Sequence, residues 1–259
     1  MRLVSLTCSN TEIVCALGCG HLLVGVDDHS DHPLEVVRSL PRVGPDLEID
    51  VERVAALAPD LVLASLTVPG HEAVVAGLER AGLPWIAPEP TGLADVYRDI
   101  REVGRRLGVA ERAEEVVAAM ERDLPAVTPA AQGRPRLLVQ WWPKPVIAPG
   151  RRSWVTELID RAGGVNPLAN EEVKSRALSD EDVRALAPDG MVLSWCGVAP
   201  EKVRPGVVLA NPAWSDLPFV RDRRVFLLPE AHLGRPSPRL VEGYRRLRSI
   251  VEELSAPGA

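Results

Sequence analysis

The sequence predicts an α/β protein of two Rossmann-like lobes, each a small parallel sheet flanked by helices, joined by a single long backbone helix. Three observations carry this. Asp50-Val-Glu-Arg-Val-Ala-Ala-Leu-Ala-Pro-Asp60 returns as Ser179-Asp-Glu-Asp-Val-Arg-Ala-Leu-Ala-Pro-Asp189, 129 residues later, with Glu52/Glu181, Val54/Val183, Leu57/Leu186, Pro59/Pro188 and Asp60/Asp189 in step. Two copies of one supersecondary unit imply two lobes, whose natural ligand site is the crevice where they face each other. Short apolar runs alternate with helical patterns on both sides, as parallel strands covered by helices do. Between the halves, Val116, Val117, Met120 and Leu124 share one face of a helix. The expected organisation is an N-terminal lobe over 1–109, a connecting helix over 110–127 and a C-terminal lobe over 128–259.

In the first half, Leu3 to Leu6 reads as a strand. Ser9-Asn-Thr-Glu12 has capping-box spacing, so a helix follows with Ile13, Ala16 and Leu17 buried and Gly18 at its end. Leu22 to Val26 is a second strand and runs into the polar loop Asp27-Asp-His-Ser-Asp-His-Pro33. The repeat helix from about Val51 precedes a strand at Leu61 to Ala64. Helix His71 to Ala81 stops at Gly82, and Trp85-Ile86 forms a short strand. Thr91 to Leu107 is the clearest amphipathic helix, with Leu93, Val96, Ile100, Val103 and Leu107 stepping by 3 and 4 before Gly108.

The connector then runs from Ala110 to about Val127; at ~1.5 Å per residue it reaches roughly 25 Å, enough to lie along both lobes and to limit hinge motion. In the second half, Arg136 to Gln140 is a strand leading into Trp141-Trp142, and helix Trp154 to Ala162 ends at Gly163-Gly164. The second repeat helix leads to strand Met191 to Ser194, ending in Trp195, and Arg224 to Leu228 is the last strand. Ser237-Pro238 supplies an N-cap and first-turn proline for a final helix with Leu240, Val241, Tyr244, Leu247, Ile250, Val251 and Leu254 on one face.

A chain of 259 residues, 46% hydrophobic and 25% charged, is globular rather than disordered or fibrous. Its 30 Lys and Arg against 36 Asp and Glu leave a net charge of −6, which argues against a nucleic-acid partner. The one basic run, Arg245-Arg246-Leu247-Arg248, reads as a solvated helix face. No apolar stretch reaches the roughly 20 residues that span a bilayer. Met1-Arg-Leu-Val-Ser-Leu carries no signal-peptide pattern, so the chain as written reads as cytoplasmic, or as extracytoplasmic if a signal precedes Met1. Cys8, Cys15, Cys19 and Cys196 form no metal-ligand run and read mainly as buried reduced thiols.

Tryptophan outnumbers the other aromatics, six against two Tyr and two Phe. Trp141 and Trp195 fall at the carboxyl ends of predicted strands, Trp142 directly after one, and Trp85 on a short one. In open α/β sheets ligands sit at that edge, and flat indoles there suit a large, flat, partly apolar ligand. Trp154 and Trp214 read as core. His29 and His32, among Asp27, Asp28 and Asp31 and with His71 or His232, give an alternative: a divalent metal site. An acidic loop ending in proline is more often a solvated turn. No GxSxG, GxGxxG, P-loop or HExxH pattern is present, so no catalytic residue is assigned and the chain reads as a non-enzyme.

Several of these stretches together resemble a known family. Arg2-Leu-Val-Ser-Leu-Thr-Cys-Ser-Asn-Thr-Glu12, Val24-Gly-Val-Asp-Asp-His-Ser-Asp-His-Pro33, Leu57-Ala-Pro-Asp-Leu-Val62 with its repeat, Gly163-Gly-Val-Asn166 and Arg235-Pro-Ser-Pro-Arg239 are similar to the helical-backbone (class III) substrate-binding proteins of bacterial ABC importers for cobalamin, haem and iron-siderophores. The loop ending at Pro33 resembles the cobalamin-binding branch, while Cys8 stands where proline is usual.

The resemblance implies a rigid two-lobed receptor holding its ligand between the lobes and presenting one carboxylate per lobe to arginines of an ABC permease dimer. Glu72 and Glu201 fit that role, and they are separated by 129 residues, the offset of the repeat. The expected ligand is cobalamin (vitamin B12) or a related corrinoid, with Trp85, Trp141, Trp142, Trp195, His232, Asp31 and His32 around it. The tryptophans do not all fall where cobalamin binders place theirs, so Trp141, Trp142 and Trp195 rest on the strand-end argument. The protein is expected to be a monomer with no cofactor of its own. A haem or ferric-siderophore receptor of the same fold, or a cytosolic metal protein or enzyme using His29 and His32, are the alternatives.

Overall fold

In the computed structural model the described residues are 1–128 and 133–256. The chain divides into two compact units: Met1–Pro90 with Ala94–Ala119, and Thr91–Leu93 with Met120–Ala259.

The first unit contains β1 (Leu3–Ser5), α1 (Cys8–Ala16), β2 (Leu23–Val26), α2 (Leu34–Val37), α3 (Val51–Ala56), β3 (Leu61–Leu63), α4 (His71–Arg80) and β4 (Trp85–Ile86), with most of α5 (Leu93–Arg106) and α6 (Ala110–Asp123). Its strands form one parallel sheet in the order β2-β1-β3-β4. β1 and β3 are buried at every residue, which is why they read as continuous apolar runs. Val4, Leu6, Val54, Val62 and Leu78 pack together as a core cluster. On α5 the residues Leu93, Val96, Ile100 and Val103 are buried, and Gly108 after it takes φ 73°, a left-handed position at which a side chain would strain the chain.

The ends of two helices differ from expectation for a clear physical reason. α1 starts at Cys8 with Thr7 as its extended N-cap and no side-chain cap, so Ser9 lies inside the helix rather than capping it. The Ser9 hydroxyl is instead 3.2 Å from Thr7 Oγ1. α6 buries Val116, Val117 and Met120 as expected but stops at Asp123, four residues before Val127. Pro125 disfavours helical backbone at Leu124 and cannot donate to the ladder itself.

The second unit contains β5 (Leu137–Gln140), β6 (Trp142–Pro143), β7 (Val146–Pro149), α7 (Trp154–Arg161), β8 (Ser175–Leu178), α8 (Asp180–Leu186), β9 (Gly190–Leu193), α9 (Gly206–Leu209), α10 (Pro218–Arg221), β10 (Val225–Leu227), α11 (Glu230–Leu233) and α12 (Leu240–Ser255). β10-β9-β5 is the parallel sheet. An antiparallel sheet, β6-β7-β8, is an addition that the sequence did not suggest. Its first strand is only Trp142–Pro143, and the prolines on either side of Lys144 hide the strand pattern. α12 begins at Leu240 rather than at Pro238, because the Ser237 hydroxyl accepts from the Arg239 N–H at 3.2 Å and so holds a turn ahead of the helix. Arg245, Arg246 and Arg248 lie on its solvated face. Gly243 is required by close approach: a Cβ there would overlap the His232 carbonyl of α11.

The two repeat helices match in detail. The Asp50 carboxylate caps α3 by accepting from the Arg53 N–H at 2.9 Å, and Ser179 caps α8 in a reciprocal box with Asp182. Both are followed by an alanine in the left-handed region, Ala58 at φ 46° and Ala187 at φ 41°.

Candidate functional site

The carboxyl ends of β1 and β2 gather a buried polar cluster. The Thr11 hydroxyl donates to Ser5 Oγ at 2.8 Å and lies 2.8 Å from Ser30 Oγ. Ser30 in turn donates to the Asp27 carboxylate, whose Oδ2 accepts from the His29 N–H at 3.0 Å. Burial pushes the Asp27 carboxyl up, while Ser30 and His29 pull it back. The Arg42 guanidinium donates to the Asp27 and Ser30 carbonyls at 2.7 Å each. The loop is therefore pinned from beneath, and its tip presents Asp31 and His32 exposed.

His29 and His71 converge on one carboxylate. His71 Nε2 is 3.3 Å from Asp46 Oδ2, and His29 Nε2 is 3.8 Å from Asp46 Oδ1. His71 Nδ1 accepts from the Val68 N–H at 3.4 Å, which fixes the tautomer carrying its proton on Nε2. The His71 hydrogen bond leads in holding Asp46 below the usual carboxylate range. Among the described residues no group of three or more His, Cys, Asp or Glu is arranged to hold a metal ion.

Trp85 is half-buried on edge strand β4, packed against the core of its unit. Beyond β4 lies a cavity of about 220 Å³ lined by Ile86, Pro88, Glu89, Arg98, Asp99 and Glu102. Burial raises the Asp99 carboxyl to about 6 despite its contact with Arg98, and its Oδ2 is buried with no partner among the described residues.

In the second unit Trp142 is 44% exposed on β6. Its neighbour Trp141 is half-buried, with its backbone N–H donating to the Ile147 carbonyl at 2.8 Å. Trp195 corrects an expectation. It is only 7% exposed, packs in the core cluster with Leu138, Met191, Leu193 and Trp214, and donates its indole N–H to Gln140 Oε1 at 2.9 Å. Strand alternation explains this, because Trp195 shares a face with Leu193 and Met191. His232 is also engaged within its unit: Nε2 lies 2.7 Å from Arg239 Nη2 and 2.8 Å from Glu242 Oε2. Trp154 and Trp214 are core as expected, with the Trp154 N–H donating to the Leu233 carbonyl at 2.9 Å.

Glu72 is exposed at the start of α4, its Oε2 accepting from the Gly70 N–H at 2.9 Å. Glu201 is exposed in a single 3-10 turn at Pro200–Lys202. Each therefore begins a helical turn in its own unit. Asp46, Arg42, Gln140 and Ser194 are site-edge residues that the sequence reading passed over. Gln140 alone had a usable signal, as a polar residue ending an apolar strand.

A family model described as periplasmic binding protein matches residues 3–232. The chain is 29% identical over 258 residues to an uncharacterized ABC transporter substrate-binding lipoprotein, YvrC, of Bacillus subtilis strain 168, covering 96% of this chain and 79% of that one. It is 26% identical over 266 residues to the vitamin B12-binding protein of Vibrio parahaemolyticus, covering 97% and 87%. Among solved structures, the apo form of the periplasmic heme-binding protein RhuT from Roseiflexus sp. RS-1 superposes with a TM-score of 0.82 at 27% identity, over 98% of this chain and 99% of that one.

Proposed function

The chain belongs to the periplasmic binding protein family, as the substrate-binding protein of an ABC importer and not an enzyme, and we propose that its cargo is cobalamin or a related corrinoid. The observation that carries this reading is the Trp141-Trp142 pair after β5, with Trp142 44% exposed. Indole rings at strand ends offer flat apolar area to a flat macrocycle with little rotamer entropy to lose. Trp85, Asp31 and His32 are the first unit's contributions, Asp31 and His32 in the loop beyond the carboxyl end of β2 and Trp85 on the edge strand β4. Likeness to a vitamin B12-binding protein across nearly the whole chain favours the same ligand class.

Haem is the second reading, favoured by the likeness to a heme-binding protein at 27% identity. Against it, Tyr97 and Tyr244 are both buried, and the Tyr244 hydroxyl donates to the Pro125 carbonyl. Neither phenol is placed as an iron ligand at a strand end.

Glu72 and Glu201 are the proposed docking carboxylates for the permease, and likeness to a substrate-binding lipoprotein supports a place of work outside the cytoplasm. Exposed charges of this kind set orientation and association rate more than affinity. Titration with cyanocobalamin, followed by tryptophan quenching, tests the ligand. Saturation in the micromolar range or below is expected, and a flat response to high micromolar ligand, with haemin saturating instead, selects the second reading. Glu72→Ala and Glu201→Ala should leave that titration unchanged while weakening association with permease in vesicles.

A further inference from the structure

We infer that Ser194 and Trp141 form a paired hydrogen-bond donor subsite for one sp2 oxygen of the ligand, an amide carbonyl or a carboxylate; this rests on the ligand-binding reading above.

The register of β5 with β9 pairs Val139 with Val192 and Gln140 with Leu193, so the next step sets Trp141 beside Ser194. Side-chain alternation decides which face they share. Leu138, Met191, Leu193 and Trp195 pack in one core cluster. Val139, Trp141, Val192 and Ser194 therefore turn to the opposite face. Both residues stand immediately past the carboxyl ends of their strands, the edge at which open α/β sheets bind ligands.

The Ser194 hydroxyl and the Trp141 indole N–H are buried, and neither has a hydrogen-bond partner among the described residues. Buried polar groups in native structures are almost always satisfied, so two neighbouring exceptions need a cause. The contrast with Trp195 on the same strand end is direct, since its indole N–H is met by Gln140 Oε1 at 2.9 Å. An indole N–H only donates, and a serine hydroxyl beside it is free to do the same. Two neutral donors on residues one register step past Gln140 and Leu193 suit the two lone pairs of an sp2 oxygen and disfavour a cation. Corrinoids carry such oxygens in peripheral amides and haem carries them in carboxylates, so the subsite sorts ligands by acceptor placement.

The test uses the full chain with Ser194→Ala and Trp141→Phe, each measured by calorimetry against cyanocobalamin and against haemin, and by thermal unfolding without ligand. Loss of a donor to bound ligand should weaken affinity roughly 5- to 30-fold. The unliganded Ser194→Ala protein should unfold at the same or a higher temperature than wild type, because a buried hydroxyl without a partner costs stability. Which ligand shows the loss identifies the oxygen as amide or carboxylate. Affinities for a ligand that wild type binds staying within about twofold in both variants overturn the inference, and a lower unfolding temperature for Ser194→Ala would then show that the hydroxyl is satisfied by water or protein. If wild type binds neither ligand, the cargo reading itself falls and the subsite falls with it.

Discussion

Arg136 and Asp189 close a reciprocal clasp: the Arg136 N–H donates to Asp189 Oδ2 at 2.7 Å, and the Asp189 N–H donates back to the Arg136 carbonyl at 2.8 Å. The Arg136 guanidinium also donates to the Leu186 carbonyl at the end of α8, from Nε at 3.0 Å and Nη2 at 2.8 Å. Arg2 and Asp60 repeat every part of it, at 2.6 Å for the first bond and with Leu57 as the capped carbonyl. The duplicated phrase thus encodes more than a helix. It ties the first strand of each parallel sheet to the helix end and strand start that follow. Arg136→Ala and Asp189→Ala should each destabilise by about 1–2 kcal/mol, with Asp189→Asn milder because an acceptor remains. Urea unfolding with an unchanged m-value would check this; a change below about 0.3 kcal/mol would show that the clasp is incidental.

The alanines that follow these helices supply a second prediction. Ala58 and Ala187 adopt φ of 46° and 41°, where the left-handed backbone costs an L-residue about 1–2 kcal/mol. Glycine removes that cost but loses about 0.5–1 kcal/mol through the greater freedom of its unfolded chain. Ala58→Gly and Ala187→Gly should therefore each stabilise by up to about 1 kcal/mol. Thermal unfolding of the single and double variants should show additive gains, since the sites belong to separate units.

How much of this was visible beforehand divides along a physical line. Whatever depended on periodicity was legible: the strands that became β1, β3, β5 and β9, the buried face of α5, and the repeat with its two helices. Whatever depended on side-chain competition was not. Ser9 matched a cap by spacing, yet Thr7 was already extended and took that place. Trp195 ended a strand as expected, but which of the two faces it took was decided by tertiary packing that spacing alone does not report. Asp46 sits in an irregular loop, where no pattern marks it as the carboxylate that two histidines share.

Asp99 makes stability depend on pH in a definite direction. Its folded value of about 6 lies above the ordinary 3.8, so the folded chain holds this proton more tightly than the unfolded one does. Its contribution is favourable below about pH 4 and is lost as pH rises through about 6. Asp99→Asn keeps an oxygen for Arg98 and removes the ionisation. It should stabilise at pH 7.5 by on the order of 1 kcal/mol, allowing for residual solvent screening, and change little at pH 4. Equal effects at both pH values would assign the change to packing rather than to charge.

The cysteines separate by environment in a way that chemical labelling reads directly. Burial pushes the Cys15 thiol up to about 11, with Glu35, Glu12 and Cys19 adding to the rise, and burial raises Cys19 as well. Only the thiolate is nucleophilic, so at pH 8 roughly one Cys15 in a thousand is reactive at any moment. Cys196 is exposed, and all four cysteines are free thiols in the structure. Brief iodoacetamide treatment of the native protein should modify Cys196 first and spare Cys15 and Cys19, whereas denatured protein should take up label at all four. Early labelling of Cys15 would contradict the packing of α1 against the turn at Gly20, where a Cβ would lie 3.2 Å from the Cys15 sulfur. Because that turn feeds β2 and the pinned loop from Asp27 to Pro33, its opening would also be expected to slow or weaken ligand capture, and labelling with and without cyanocobalamin reads both effects in one experiment.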